Sequence, residues 1–170
     1  MIRSFNHLYP KLEAGVYLAE NASVIGDVHV KKGTSIWYGA VLRGDCGAIE
    51  IEENCSIQDN VTIHEATCIE RNVTVGHNAV LHGCRIEENC LIGMGAIVMN
   101  GVHAGRGSII AAGALLPNGT IIPPGSLVIG VPARIKGTVS KEQAEHNLSS
   151  AAHYQALAAA QLTLIEAQEQ

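Results

Sequence analysis

The sequence predicts an all-β solenoid, a parallel β-helix of six-residue repeats, followed by one C-terminal α-helix. Three observations lead there. First, an aliphatic residue recurs every six positions through most of the chain. The series runs Val24, Val30, Ile36, Leu42, then Ile51, Ile57, Ile63, Ile69, Val75, Leu81, then Ile86, Ile92, Val98, Ile110, Leu116, Ile122, Val128, with Ala104 in the remaining slot. Second, the apolar content is aliphatic: 47% of residues are hydrophobic but only 4% aromatic, beside 18 glycines. Third, the tail changes character and reads as a capped helix rich in Ala and Leu.

A helix of 3.6 residues per turn cannot hold a six-residue period on one face, and a flat strand would show period two. Three flat sides of six residues close a triangular coil of eighteen. Each side points its aliphatic residue inward. A small residue follows four positions later, for example Thr34, Ala40, Cys55, Val61, Val73, Ala79, Cys90 and Ala96, and fits near the corner. Cys55 and Cys90 are therefore core fillers. Coils stacked at strand spacing, ~4.8 Å, bury one continuous aliphatic column.

The elements follow in chain order within two expected units, residues 1–137 and 138–170. Residues 1–20 are expected to be an irregular lead-in. From Val24 the repeat is regular. The step from Leu42 to Ile51 is three residues too long, which predicts a bulge at GDCGAI (44–49). The repeat then slips one residue early at Ile86. The stretch IPPGSLVIGVPARIKG (122–137) is a Pro- and Gly-punctuated exit. Ser140 and Gln143 in SKEQ form a capping box. Ala144, Leu148, Ala151, Ala158, Leu162 and Ile165 then recur at helical spacing to about Glu166 and predict a stripe packed on one face of the prism.

Composition excludes several classes of function. A net charge of −5 offers no basic face for nucleic acid. No apolar run is long enough to span a membrane, and MIRSFNHLYP lacks a signal-peptide core. Five cysteines without a CxxC suggest neither a disulfide framework nor a cysteine zinc site. A reduced, cytoplasmic protein is expected.

The register sorts the polar residues. Let the hexads starting at 63, 69 and 75 define faces A, B and C. His64 and His82 are both the second residue of a face-A hexad, one coil apart, and Arg43 holds that place a coil earlier. Asp59 and His77 form a second column, on face C, with Gln58 beside them. Faces A and C point about 120° apart, as a prism of three equal sides requires. One chain therefore does not readily bring His77 to an ion held by His64 and His82, whereas a threefold homotrimer does, with face C of one chain against face A of the next. The same packing sets Arg43 against the neighbour's Asp59. Three histidines with an open position is the pattern of a catalytic zinc site. Imidazole also suits Fe2+ or Co2+. Such an ion lowers the pKa of a bound water towards about 7. Spacing alone is equally compatible with three satisfied interface histidines.

The stretches RGDCG (43–47), SIQDN (56–60), VTIHE (61–65), VGHNAVLHGC (75–84) and IGMGAIVMNG (92–101) resemble the γ-class carbonic anhydrases, a family of hexapeptide-repeat β-helix proteins. The resemblance covers roughly residues 10–137. It implies a left-handed solenoid and a homotrimer whose metal sites are shared between subunits. It makes His64, His77 and His82 the metal ligands, two from one subunit and one from its neighbour. Arg43 and Asp45 match a family Arg and Asp tied to an interfacial Asp, here Asp59. Gln58 matches the glutamine that orients the metal-bound hydroxide, and Tyr154 a helix tyrosine that reaches the site. The implied reaction is reversible hydration of CO2 to bicarbonate by a metal-bound hydroxide.

The sequence departs from the prototype in three respects, one of them Ser56 where the prototype has an asparagine. The residues between His64 and His77 are consumed by regular hexads, which leaves no room for the acidic proton-shuttle loop. Cys46 stands where the prototype has a glutamate. Glu65 is the available substitute donor. Met94 and Met99 extend the two columns by a coil and are expected to form an apolar wall near the metal. Three rival readings exist. One is a hexapeptide-repeat acyltransferase with a single histidine base. Another is a metal-hydroxide (thio)ester hydrolase. The last is a metal-binding scaffold without carbonic anhydrase activity.

Overall fold

A computed structural model of the chain describes residues 1–168, with side chains up to residue 162. Parallel strands, most of them two or three residues long, stack into a solenoid of about seven coils. Face A stacks the strands around Leu42, Ile63, Leu81, Val98 and Leu116. Face B stacks those around Val30, Ile51, Ile69, Ile86, Ala104 and Ile122. Face C stacks those around Leu18, Ile36, Ile57, Val75, Ile92, Ile110 and Val128. Nearly all of these inward residues are fully buried. Each buried Leu or Ile contributes about 1.5–3 kcal/mol of transfer free energy, so the aliphatic column carries the fold.

The corners have a chemistry that the hexad count did not capture. The residue just before the small one adopts a left-handed backbone: Asn60 and Asn78 have φ of 58° and 60°, and Gly39 and Gly95 have 69° and 66°. Only Gly and Asn adopt this conformation cheaply. Alternation of Asn and Gly at that slot is therefore a second sequence signature of the fold.

Both predicted irregularities are present. The strand Val41–Ile51 pairs with Ser23–Val30 in a register that shifts past Gly26, so residues 45–48 stand opposite Asp27 alone and form a protruding bulge three residues longer than its neighbour. The one-residue slip appears where Leu81 pairs with Val98 rather than with the residue after it. No loop interrupts the coils between His64 and His77.

Two expectations need correction. Residues 1–20 are not an irregular lead-in. Ile2–Arg3, Lys11–Leu12 and Tyr17–Leu18 are strands that pair with Val24–Ile25, His29–Val30 and Ser35–Ile36 and make an edge coil. Leu12 and Leu18 in fact continue the six-residue period of Val24 and Val30 back towards the N-terminus, and only Ile2 falls outside it. The exit also contains a final antiparallel hairpin, Ser126–Gly130 with Ala133–Thr138.

The helix Lys141–Gln168 starts at the predicted capping box. The Ser140 N–H donates to Gln143 Oε1 at 2.9 Å, and the Gln143 N–H to Ser140 Oγ at 3.1 Å. It packs along face C, against Tyr17–Leu18, Ser35–Ile36, Ser56–Ile57 and Thr74–Val75. Its buried stripe keeps Ala151, Ala158 and Leu162 of the predicted one and departs from it at the helix start. Asn147, Ala151 and Ala158 are buried and Tyr154 and Leu162 pack on the core, whereas Ala144 and Leu148 face outward. A helix with alanine on every side lacks the hydrophobic contrast that would fix its face from sequence. Ile165 lies outside the residues with described side chains. Among the described residues, no helix is long and apolar enough to cross a membrane.

Candidate metal centre

Face A brings His64 and His82 together. Arg43 pairs with His64, and His64 with His82, as strand partners on successive coils. His64 Nδ1 lies 3.1 Å from His82 Nε2, with the ring planes at 69°. The other nitrogen of each ring is engaged. His64 Nε2 is 2.8 Å from Asp45 Oδ1, and His82 Nδ1 is 2.8 Å from Asn100 Oδ1. A carboxylate and an amide oxygen are acceptors only, so each of those ring nitrogens carries the N–H. The facing nitrogens therefore both present lone pairs. Two lone pairs at this distance suit a cation between them, either a shared proton or a metal ion. Ligand atoms ~2.0–2.1 Å from a tetrahedral zinc are roughly 3.3–3.4 Å apart, close to the separation here. The donor set fits a metal of zinc or iron chemistry.

The protruding corner sets Asp45 in place. The Arg43 guanidinium pairs with its second oxygen. Burial alone would raise the Asp45 carboxyl, but the hydrogen bond from His64 and the Arg43 charge outweigh it and hold the group below its ordinary value. Glu65 follows His64 in a left-handed conformation, with φ of 63°. That is a strained position for a side chain of this size. A carboxylate oxygen of Glu65 lies within 4.8 Å of the His64 and His82 donor atoms. Cys46 is exposed, and its Sγ joins Asp45 and His64 in a second cluster of that size.

His77 belongs to neither cluster. It sits on face C with Asp59, Nδ1 to Oδ2 at 2.7 Å, and both side chains are about one-third exposed at 36% and 35%. Asp59 therefore pairs with His77 within the chain, and Arg43 with Asp45. Gln58 is buried, and its Oε1 accepts the His77 backbone N–H at 3.2 Å. Tyr154 packs edge-on against Trp37 at 5.8 Å. With Gln58, His77 and the exposed Met94 it lines a cavity between helix and face C. Met99 is half-buried on face A. Sequence reasoning missed Asn100. The slip at Ile86 moves it one place off the histidine column, so no column position marks it.

A family model described as bacterial transferase hexapeptide (six repeats) matches residues 83–118. The probable carbonic anhydrase of Methanocaldococcus jannaschii is 42% identical over 147 residues, which is 84% of this chain and 92% of that protein. Gamma carbonic anhydrase 3, mitochondrial, of Arabidopsis thaliana is 43% identical over 88 residues, 46% of this chain. The match spans about a third of that relative's length, 34%. Among solved structures, a putative acetyltransferase of Bacillus cereus superposes with a TM-score of 0.94 at 32% identity, covering 96% of this chain and 97% of that one. A hexapeptide transferase family protein from Anaplasma phagocytophilum gives 0.92 at 39%, covering 94% and 96%. Fold and site together define a hexapeptide-repeat solenoid with a paired histidine column. The chain belongs to the γ-carbonic-anhydrase-like family of these proteins.

Proposed function

We propose that the chain forms a threefold homotrimer with a metal site at each interface and catalyses reversible hydration of CO2 to bicarbonate. The observation that carries this reading is the convergence of two imidazole lone pairs 3.1 Å apart on face A, while the third histidine stands on face C beside its own carboxylate. His64 and His82 of one subunit and His77 of the next would hold the ion. When bound, it supplies the charge that ionises a water near neutral pH and polarises CO2.

The chain's own groups do the rest. Asp45 and Asn100 fix the tautomers of His64 and His82, so both rings are ready to ligate without rearranging. With Oε1 engaged, Gln58 keeps its amide N–H groups free to orient an oxygen of the nucleophile or of bicarbonate. Glu65 takes the proton that each hydration releases and passes it to solvent, in place of the absent shuttle loop. The interface excludes bulk water, with Met94 and Met99 as its apolar lining. Zn2+ and Fe2+ both suit the donor set.

The names of the two solved relatives support a second reading, an acyltransferase, which needs no metal. Metal analysis of protein prepared under reducing conditions with zinc or iron supplied separates the two. About one ion per subunit and chelator-sensitive CO2 hydration in stopped flow are expected. No bound metal would refute the centre. Mixing tests the sharing. His64→Ala and His77→Ala chains are each expected to be inactive alone, whereas mixed trimers contain some intact interfaces and regain part of the activity. No recovery after confirmed subunit exchange would refute the shared site.

A further inference from the structure

The solenoid ends in an open sheet edge. The face-C sheet runs from Tyr17–Leu18 to Ala133–Thr138, and among the described residues no strand pairs beyond the latter. Ala133–Thr138 runs antiparallel to Ser126–Gly130, and Arg134 to Thr138 are all exposed. About half of the backbone N–H and C=O groups of such a strand point away from its one partner. The register puts Ile135 opposite Val128, the last fully buried residue of the face-C column. Ile135 is nevertheless 51% exposed, because no coil follows to cover it. Hydrogen bonds between coils run along the solenoid axis, so this edge faces along the axis. Side-by-side packing of face C on a neighbour's face A leaves it open. It stands four strands beyond Thr74–Val75, roughly 19 Å from the coil of His77.

The edge also carries unpaired charge. Every Lys and Arg from Lys31 to Arg106 has a carboxylate partner. Arg134 and Lys136 have none among the described residues, and Arg134 Nη1 donates instead to the Ala133 carbonyl at 2.8 Å. On a chain of net charge −5 this is a local excess of cations. These features choose among occupants. A second copy would set Arg134 and Lys136 against their own like, and like charges across a strand pair are destabilising. A lysine at an edge deters uncharged strands as well, because pairing would desolvate it without a counter-charge. A lipid surface supplies anionic groups but would leave the edge's backbone N–H and C=O groups unmatched. An extended chain with carboxylates meets all three demands. It closes the ladder, pairs the cations and covers Ile135.

We propose that the outer edge of Ala133–Thr138 is the docking site for an acidic peptide segment of a partner protein, which adds to the sheet as a further strand. Its Asp or Glu side chains lie beside Arg134 and Lys136, and its alternate aliphatic residues cover Ile135. The site uses no residue of the metal centre and does not rest on the CO2 reading.

The probe is a fluorescein-labelled peptide, Glu-Val-Glu-Val-Glu-Thr, titrated into the full-length chain and followed by anisotropy. Two controls share its length. One carries Lys in place of Glu. The other keeps the charges but is N-methylated throughout, so it cannot donate to a ladder. The acidic peptide is expected to bind saturably, more weakly as salt rises, and each control to bind at least about tenfold more weakly. Amide hydrogen exchange over residues 134–138 is expected to slow in the complex. Arg134→Glu combined with Lys136→Glu is expected to weaken binding by at least about tenfold, with the thermal midpoint unchanged because both side chains are exposed. Arg134→Gln combined with Lys136→Gln, which leaves the edge neutral, is expected to fall between that variant and the wild type. Phosphatidylserine vesicles are expected not to retain the chain. The proposal is overturned if the acidic peptide does not saturate, if the N-methylated peptide binds as tightly, or if the charge-reversed variant binds like the wild type. Retention on the vesicles through Arg134 and Lys136, without peptide binding, overturns it in favour of a lipid surface.

Discussion

Faces A and C are built by the same repeat on the same aliphatic column, yet stacking does opposite things on them. On face A the eighteen-residue register lays imidazole over imidazole, His64 on His82, and each ring is held from behind by Asp45 or Asn100. On face C it lays imidazole over carboxylate, His77 on Asp59, and the pair is complete in itself. Face A therefore presents unsatisfied lone pairs, and face C presents a satisfied, partly solvated histidine. In a β-solenoid the core sets where side chains stand, and the outward residues decide whether a column concentrates or neutralises charge.

The inward side should not distinguish the faces. Leu81, next to His82, and Ile57, next to Gln58, are both fully buried. Leu81→Ala and Ile57→Ala are each expected to cost about 2–5 kcal/mol, the usual range for deleting a large buried aliphatic residue. Denaturant unfolding of the two variants checks this. A cost below about 1 kcal/mol on either face would show that the column is not shared equally.

The outward side should distinguish them. Asn100 accepts from His82 Nδ1 and fixes which nitrogen faces His64. Asn100→Ala is expected to weaken metal binding by about 10–100-fold, as removal of such an outer partner typically does, while stability in the apo state changes little. Competition against a chelator of known affinity measures it. Undiminished affinity would mean that the tautomer is set by the metal alone.

How far the sequence led differs between the faces as well. The hexads and the slip at Ile86 are legible because a period of six has few structural solutions, and two-coil stacking then follows by counting. The histidine columns are legible for the same reason. Asn100 is not, because its contact crosses the slip, and a register count predicts columns rather than diagonals. The helix face is legible only in part: Ala151, Ala158 and Leu162 pack as expected, whereas Ala144 and Leu148 do not. With alanine at Ala144, Ala151 and Ala158 alike, only the packing chose Asn147 and Tyr154 for burial. The first coil was legible in part, since Leu12 and Leu18 keep the six-residue step to Val24; only Ile2, which pairs beside Val24, stands outside the count.

A third test concerns acid. On face A the Asp45 carboxyl titrates below its ordinary value, despite burial that opposes this, because His64 and Arg43 hold its ionised form. A carboxylate lowered in the folded state binds fewer protons there than in the unfolded chain. Its contribution is therefore complete above the ordinary carboxylate range and is lost as pH falls through its lowered value. Asp45→Asn is expected to flatten the acid limb of the stability profile and leave the difference from wild type largest near neutrality. Thermal midpoints measured across that range check the sign. A wild-type profile that matches the variant throughout would remove Asp45 from the device that holds His64.

The smallest effect is expected on face C. The Asp59–His77 pair is short at 2.7 Å, but both side chains are about one-third open to solvent, at 35% and 36%. Solvent screens such pairs to about 0–1 kcal/mol. Asp59→Asn also keeps an oxygen that can accept from His77 Nδ1, so the ring retains its orientation when the charge is lost. Stability is expected to change by less than about 1 kcal/mol, and metal affinity by less than it does in Asn100→Ala, where the acceptor itself disappears. The two variants measured side by side separate orientation from charge. Equal losses would mean that the carboxylate's charge reaches the ion, and that face C serves the metal as directly as face A does.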